Sequence, residues 1–381
     1  MSKIITIFFV FVHLVPFFFI RTPHTLVSWL FVIFIATAYF LGWYLARISL
    51  NNPKEQVFRF TKCRPNSLFF IAIAYFAIRI PYINDIFQAL VSGDFATYAL
   101  NRAKARYSGE SMGFAYNIGT ALFICFLGLS GTFFGVNYQN SFAASSAHKS
   151  NNSLVKIIVV ISVMILIESS GLARAGVVMA MTLFIANYLY AKRMDYQNIT
   201  FNQFVIFGMK VGTTVLLVFY FSAYLRLSEG ADVLTLLKEK TYVYFIGPHE
   251  SFSTWLSYSE DSLLTTYGYN TFASVAKLFG AASQQGHYEK FVDSQTNVFL
   301  LYRGLLEDFG LVFTGFFLVT LSYFANYSDA FSHRFPGLIV AVKASVCMVL
   351  FVFYSPFIFT TFLVGFILSN ILQTNISQRV I

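Results

Sequence analysis

Long apolar runs recur along almost the whole chain and constrain its fold more than any other feature. They fall at about 4–20, 25–46, 67–83, 113–136, 154–169, 175–191, 203–225, 309–325, 337–355 and 357–373. A helix needs about 20 mostly apolar residues to cross the hydrocarbon core of a bilayer. Because lipid offers no hydrogen-bond partner to the backbone, we expect each run to be a helix. With 57% hydrophobic and only 11% charged residues, the sequence predicts an all-α polytopic membrane protein of about 10 transmembrane helices, within a range of about 10–12.

The distribution of lysine and arginine predicts how these helices are oriented. The loop 47–66 carries five basic residues and one acidic residue, which is typical of a cytoplasmic loop. Ten spans then place both termini in the cytoplasm. Two segments remain outside, a smaller loop at about 84–112 and a large loop at about 226–308 in which we expect short helices. No linker or repeat divides the chain, so we treat 1–381 as a single integral membrane domain.

Arginines are unusually frequent at or beyond the predicted outer face. They are Arg79, Arg102, Arg106, Arg174, Arg226 and Arg303. The planar guanidinium fork binds two phosphate oxygens at once, which lysine cannot do. Such a cluster at membrane depth favours an anionic, lipid-linked substrate. Simpler roles stay open for single residues: Arg79 and Arg226 as interfacial anchors, and Arg102 with Arg106 as one helix face on lipid headgroups.

A turn of small residues lies between two apolar runs on the predicted outer side, in "IESSGLARAG" (167–176). Ser169, Ser170 and Gly171 leave backbone N–H groups exposed, and Arg174 opens the next helix. Backbone donors, a helix N-terminus and a guanidinium together suit a phosphate group. The alternative is that Glu168 and Arg174 simply form an ion pair.

The large outer loop contains "KTYVYFIGPHESFSTWL" (240–256), where Gly247–Pro248 predicts the start of a helix. His249 and Glu250 follow at once and are candidates for proton transfer, although a structural role for a lone histidine stays open. Aromatic side chains at 252 and 255 suit stacking on sugars or contact with the lipid interface. The six histidines show no ligand spacing, and no P-loop or D-x-D motif is present, so we expect neither a metal nor a cofactor.

The stretch "TNVFLLYRGLLEDFG" (296–310) places three charges directly before an apolar run. If it is helical, Arg303 and Glu307 are i, i+4 neighbours and can pair, while Asp308 points elsewhere. One interpretation is a structural ion pair at the entrance of a helix. The other is that Glu307 orients Arg303 toward a diphosphate while Asp308 holds the backbone of the loop.

This stretch resembles a segment of the O-antigen polymerases (Wzy-type oligosaccharide repeat-unit polymerases). The matching residues are Thr296, Asn297, Val298, Arg303, Asp308, Phe309 and Gly310, with Phe299 in place of the usual tyrosine. The turn at 167–176 is similar to that family's serine-arginine-glycine turn, here Ser170, Arg174 and Gly176, with a looser spacing. The segment 244–256 resembles, more weakly, the family's aromatic outer-loop helix.

The resemblance implies a fold and a reaction. The fold is a large helical one, like the lipid-linked (GT-C) glycosyltransferases and O-antigen ligase, in the bacterial inner membrane. The reaction is polymerisation of undecaprenyl-diphosphate-linked oligosaccharide repeats on the periplasmic face, in O-antigen, capsule or exopolysaccharide biosynthesis. Its partners would be that lipid-linked oligosaccharide, membrane lipids and a chain-length regulator protein. We attribute the net charge of +9 to cytoplasmic loops and membrane surface rather than to nucleic acid.

In such a glycosyltransferase the residues would fall into two groups. Arg174 and Arg303 would stabilise the diphosphate leaving group, with Glu250 or His249 as the catalytic base and Glu307 as another candidate. The substrate would be held by Arg226, Arg102, Arg106, Asn297, Glu307 and Asp308. A transporter or flippase of a lipid-linked sugar, or an O-antigen ligase, is the alternative.

Overall fold

A computed structural model of the chain describes residues 26–49, 60–63, 65–95, 97–98, 101, 113–143, 147–170, 174–192, 213, 235, 238–239, 242, 246–258, 267–269, 271–280, 301–327 and 360–379. Of the interpretable residues 94% are helical, so the predicted all-α class is confirmed for this part of the chain. Four of the described helices are long and apolar enough to cross a membrane: Trp29–Ser49, Asn66–Val91, Phe114–Gly135 and Tyr302–Tyr327. This is the composition of a polytopic helical membrane protein. The predicted spans 4–20 and 337–355, and all of 203–225 except position 213, lie outside the described residues, so the count of ten stays a prediction.

The described helices, in chain order, are α1 Leu26–Ser49, α2 Pro65–Val91, α3 Phe114–Ala143, α4 Ala147–Ser170, α5 Arg174–Lys192, α6 Gly247–Tyr258, α7 Ala273–Leu278, α8 Leu301–Tyr327 and α9 Thr360–Ile376. Two short strands, β1 Phe60–Cys63 and β2 Ser377–Arg379, pair antiparallel. The chain divides into two compact units. The first comprises Met1–Phe58 and Lys238–Thr360, and the second comprises Arg59–Leu237 and Thr361–Ile381.

Two helices extend beyond the predicted apolar runs. Helix α2 continues through Pro81 to Val91, eight residues beyond the apolar run that ends at 83. Helix α8 begins at Leu301, eight residues before the apolar run that starts at 309. Polar residues thus end an apolar run without ending the helix, and the predicted bounds of the two outer loops stay predictions.

The exposed faces of the long helices are apolar. On α2, Phe70, Ile73, Ile80 and Phe87 are each more than half exposed, and their spacing of three and seven residues places them on one face. Helix α4 has a similar exposed stripe, which consists of Val155, Ile158, Val159, Val163 and Leu166. A helix in water turns its polar face outward, so these stripes are suited to lipid.

The first unit is built on the close contact of α1 with α8. A Cβ atom on Gly42 would overlap the backbone carbonyl of Val319, so this glycine lets the two backbones meet. The Ser322 hydroxyl donates to the Tyr39 carbonyl at 2.7 Å. The residue numbers of contacting positions increase in the same direction along both helices, from Phe34 beside Gly315 to Gly42 beside Val319. The helices are therefore parallel, as the predicted topology requires.

In the second unit, α3 is the central helix, and 83% of its most apolar stretch, within Phe114–Gly135, is buried. It runs antiparallel to α2, since the ring of Tyr75 lies beside Phe123 and that of Tyr82 beside Tyr116. It runs parallel to α9, since Thr361 lies beside Asn117 and, further along both helices, Ser369 lies beside Gly128. Together with the β1–β2 pair, these directions agree with the predicted topology within this unit.

The close approach at Gly42 gives a test of the α1–α8 contact. We expect Gly42→Ala to lower the stability of the detergent-solubilised protein by about 1–3 kcal/mol, because the added methyl group meets a backbone atom that cannot rotate away. Thermal unfolding followed by size-exclusion chromatography measures the loss. Gly113→Ala is the matched control, since a Cβ there meets nothing within 4 Å. Equal melting temperatures for the two variants would contradict the packing.

Candidate active site

Helix α8 is broken where the motif ends. Gly310 has φ 63° and ψ −175°, a conformation that is essentially restricted to glycine. The break separates a short segment, 301–309, from the long apolar helix that follows. The Thr314 hydroxyl donates across it to the Leu305 carbonyl at 2.9 Å, which satisfies a carbonyl group near the end of the first segment.

The short segment carries the predicted ion pair. Arg303 Nε donates to Glu307 Oε1 at 2.8 Å, and the two side chains are 11% and 10% exposed. The guanidinium carbon lies 5.2 Å from the ring centroid of Trp255, which belongs to α6. The i, i+4 pairing expected from the sequence is therefore present. A carboxylate on Nε and an indole ring both limit the rotation of the guanidinium group.

Asp308 also has the structural role expected of it. Its Oδ2 atom accepts the backbone N–H of Thr271 at 2.6 Å, and the group is buried. A charge-assisted bond of this kind fixes the segment before α7 to the end of the short helix. Glu307 and Asp308 are neighbours, yet one orients a side chain and the other holds a backbone.

His249 and Glu250 lie in the first turn of α6, which begins at Gly247 as the sequence predicts. Glu250 is 4% exposed and its Oε2 atom accepts the Tyr242 hydroxyl at 2.9 Å. His249 is fully buried. A carboxylate is favoured there because the N-terminus of a helix carries partial positive charge. For either group to act as a base, an acceptor hydroxyl must come within about 3 Å, so α6 would have to move or open to admit it.

Both roles considered for the aromatic residues of α6, stacking on a sugar and contact with the lipid interface, are wrong for Phe252 and Trp255. They are 0% and 3% exposed and belong to the core of the first unit. The Phe252 ring lies 5.3 Å from that of Phe31 and 6.4 Å from that of Tyr302. The reason is that α6 uses its apolar face to pack on α1 and α8.

The other predicted site residues belong to the second unit or lie outside the described residues. Arg174 is the first residue of α5 in the second unit, and its side chain lies outside the described part. Four further residues fall outside it altogether: Arg102, Arg106, Arg226 and Asn297. Among the described residues, no three His, Cys, Asp or Glu side chains are placed to share a metal ion.

The sequence did not predict a second buried ion pair, which lies in the second unit. Arg79 Nη2 donates to Glu168 Oε1 and, at 2.8 Å, to the Thr120 hydroxyl. The Tyr75 hydroxyl donates to the same carboxylate oxygen at 3.0 Å. Arg79 is 1% exposed and lies inside α2, so the role of interfacial anchor that the sequence left open for it is wrong. Glu168 is paired with Arg79, whereas the partner that the sequence analysis considered for it was Arg174.

The Arg303–Glu307 pair predicts a specific pattern of stability. Glu307→Leu should cost about 3–5 kcal/mol, since it leaves a buried guanidinium without its carboxylate. The double variant Arg303→Leu with Glu307→Leu should recover most of that loss, because two apolar side chains replace two charges. Thermal unfolding in detergent compares the variants. A double variant no more stable than the single one would contradict the pairing.

Comparison with known proteins identifies no relative. No protein-family model matches the chain, and neither a curated protein nor a solved structure matches it. The resemblance to O-antigen polymerases therefore rests on the motifs at 296–310 and 167–176 and stays a prediction.

Proposed function

We propose that this chain is a membrane glycosyltransferase that polymerises undecaprenyl-diphosphate-linked oligosaccharide repeats. The observation that carries the proposal is the motif at 296–310, whose arginine is buried, paired and held against an indole ring at the start of a membrane-length helix. A buried ion pair contributes little stability compared with apolar side chains of the same size. In this proposal the chain, which has few charges, contains an ion pair here because the guanidinium group binds the substrate.

The reaction joins two lipid-linked glycans. A hydroxyl group on the non-reducing sugar of one repeat attacks the anomeric carbon of the growing chain, and the bond from that carbon to the diphosphate breaks. The hydroxyl proton passes to a base, for which Glu250, His249 and Glu307 are the candidates. The electron pair of the broken bond stays on the lipid diphosphate as negative charge.

Arginine side chains suit this step because charge grows on the diphosphate as the bond breaks. Groups aimed at developing charge stabilise the transition state more than the bound substrate. In the proposal Arg303 and Arg174 act on the diphosphate, and Arg226, Arg102 and Arg106 extend the anion site. Asn297 and Asp308 shape the loop around it, and no cofactor takes part.

The setting that we propose follows from the resemblance to O-antigen polymerases and from the distribution of lysine and arginine. The protein lies in the bacterial inner membrane with both termini in the cytoplasm and its active face in the periplasm. The fold is related to the lipid-linked (GT-C) glycosyltransferases and to O-antigen ligase. The polymer enters O-antigen, capsule or exopolysaccharide synthesis, where a chain-length regulator protein would control the length of the product.

A transporter of a lipid-linked sugar is the second candidate, favoured by one observation. Helix α8 is interrupted at Gly310, and broken helices are common at the substrate sites of transporters. Such sites usually use a pair of broken helices in related repeats. The sequence has no internal repeat, so we favour the polymerase.

Deletion of the gene in its host separates these functions. A polymerase mutant should lose the glycan ladder but keep a single repeat unit on the surface. Loss of all surface glycan, with repeats held at the cytoplasmic face, would indicate a flippase. Loss of surface glycan while polymer remains on its lipid carrier would indicate a ligase.

Arg303→Lys tests the motif without leaving Glu307 unpaired. Lysine keeps the positive charge but loses the fork that binds two oxygens. We expect polymerisation in proteoliposomes supplied with lipid-diphosphate-linked repeats to fall by about 10²–10³-fold, and Arg174→Ala should behave alike. The control is Arg47→Ala, an exposed arginine in the last turn of α1. Wild-type polymer from both Arg303→Lys and Arg174→Ala would overturn the proposed site.

A further inference from the structure

The buried cluster around Arg79 joins three helices of the second unit at one point. Arg79 and Tyr75 come from α2, Thr120 from α3 and Glu168 from α4. The two carboxylate oxygens face three donor groups, with the Thr120 hydroxyl 3.2 Å from Oε2. Glu168 is 2% exposed. Its rotation, and that of the helix end that carries it, is therefore fixed from two sides.

Aromatic rings enclose the guanidinium group of Arg79. Its central carbon lies 4.3 Å from the ring centroid of Tyr116, 5.4 Å from that of Tyr82 and 5.7 Å from that of Tyr75. A Cβ atom on Gly119 would come within 2.7 Å of Arg79 Nε. The side chain thus fills a space that this part of α3 leaves for it, which makes its position specific.

Glu168 lies near the end of α4, close in the sequence to Arg174. Helix α4 ends two residues later, at Ser170, and α5 begins at Arg174. Only three residues, 171–173, separate the two helices in the sequence. A connection this short limits how far the start of one helix can lie from the end of the other. Since Arg79 already neutralises Glu168, Arg174 is not needed for that purpose.

We infer that Arg79 is a positioning residue, whose ion pair with Glu168 fixes the end of α4 and thereby places Arg174 at the start of α5. A buried ion pair adds little net stability over an apolar pair but can select one arrangement among several. Here the arrangement selected is the position of the end of α4, and with it the position of the start of α5 at Arg174. The inference rests on the proposed function only for what Arg174 then does.

Cysteine labelling at position 174 tests the positioning without any need for activity. The three native cysteines are replaced by alanine, and Arg174→Cys is reacted with a methanethiosulfonate reagent in membrane vesicles. We expect Glu168→Gln, which removes the charge but keeps the size, to change the labelling rate several-fold. Gly119→Ala should do the same, because it displaces the guanidinium group while keeping every charge and raising helix propensity.

The matched control is Lys156→Cys. This exposed position lies on α4, twelve residues before Glu168 on the same helix. Its labelling rate should not change in either variant, and size-exclusion chromatography should show that both variants fold. Unchanged labelling at position 174 in both folded variants would overturn the inference. So would an equal change at position 156, which would indicate a general loosening of the helix.

Polymerisation assays then separate this inference from the proposed function. If Arg174 acts on the substrate, Glu168→Gln should reduce polymerisation in the wild-type chain but have no further effect in Arg174→Ala. If labelling at 174 changes while polymerisation does not, the positioning of α5 is supported and the proposed role of Arg174 is overturned.

Discussion

The architecture depends on one constraint, which is that a charge placed among apolar helices must find its partner inside the protein. An unpaired charge that is buried among apolar side chains costs several kcal/mol. The described chain meets this requirement in two ways. Arg303 pairs with a neighbour four residues away on its own helix. Arg79 pairs with a residue 89 positions later on another helix. The first pair fixes a side chain, and the second fixes the packing of three helices.

Both pairs are surrounded by aromatic rings and lie close to an interruption of regular structure. Trp255 lies beside Arg303, and Arg303 precedes the break at Gly310 by seven residues. Three tyrosine rings surround Arg79, whose partner stands two residues before the end of α4. A ring face attracts a cation without satisfying its hydrogen bonds. The ring therefore holds the guanidinium group in place while its N–H groups stay able to donate hydrogen bonds. This arrangement suits a group that positions a substrate or a backbone segment.

The short segment before Gly310 shows how a local sequence pattern is used twice. Glu307 and Asp308 are adjacent, so their side chains leave the helix about 100° apart. One consequently reaches Arg303 on the same helix, while the other reaches the backbone of Thr271 in the loop region. The glycine that follows permits the change of direction into the membrane helix. Loop, ion pair and membrane helix are thus joined within eight residues, from Arg303 to Gly310.

The sequence by itself determined the helical membrane class, the start of α6 at Gly247 and the Arg303–Glu307 pair, because periodicity, hydropathy and i, i+4 spacing are local properties. Helices α2 and α8 extend beyond the apolar runs, since hydropathy does not register polar residues that remain helical. Only the tertiary structure decided that Arg79 is buried with Glu168 and that Trp255 is buried against Arg303. Those contacts join segments far apart in the chain, and which residues meet depends on how the helices pack.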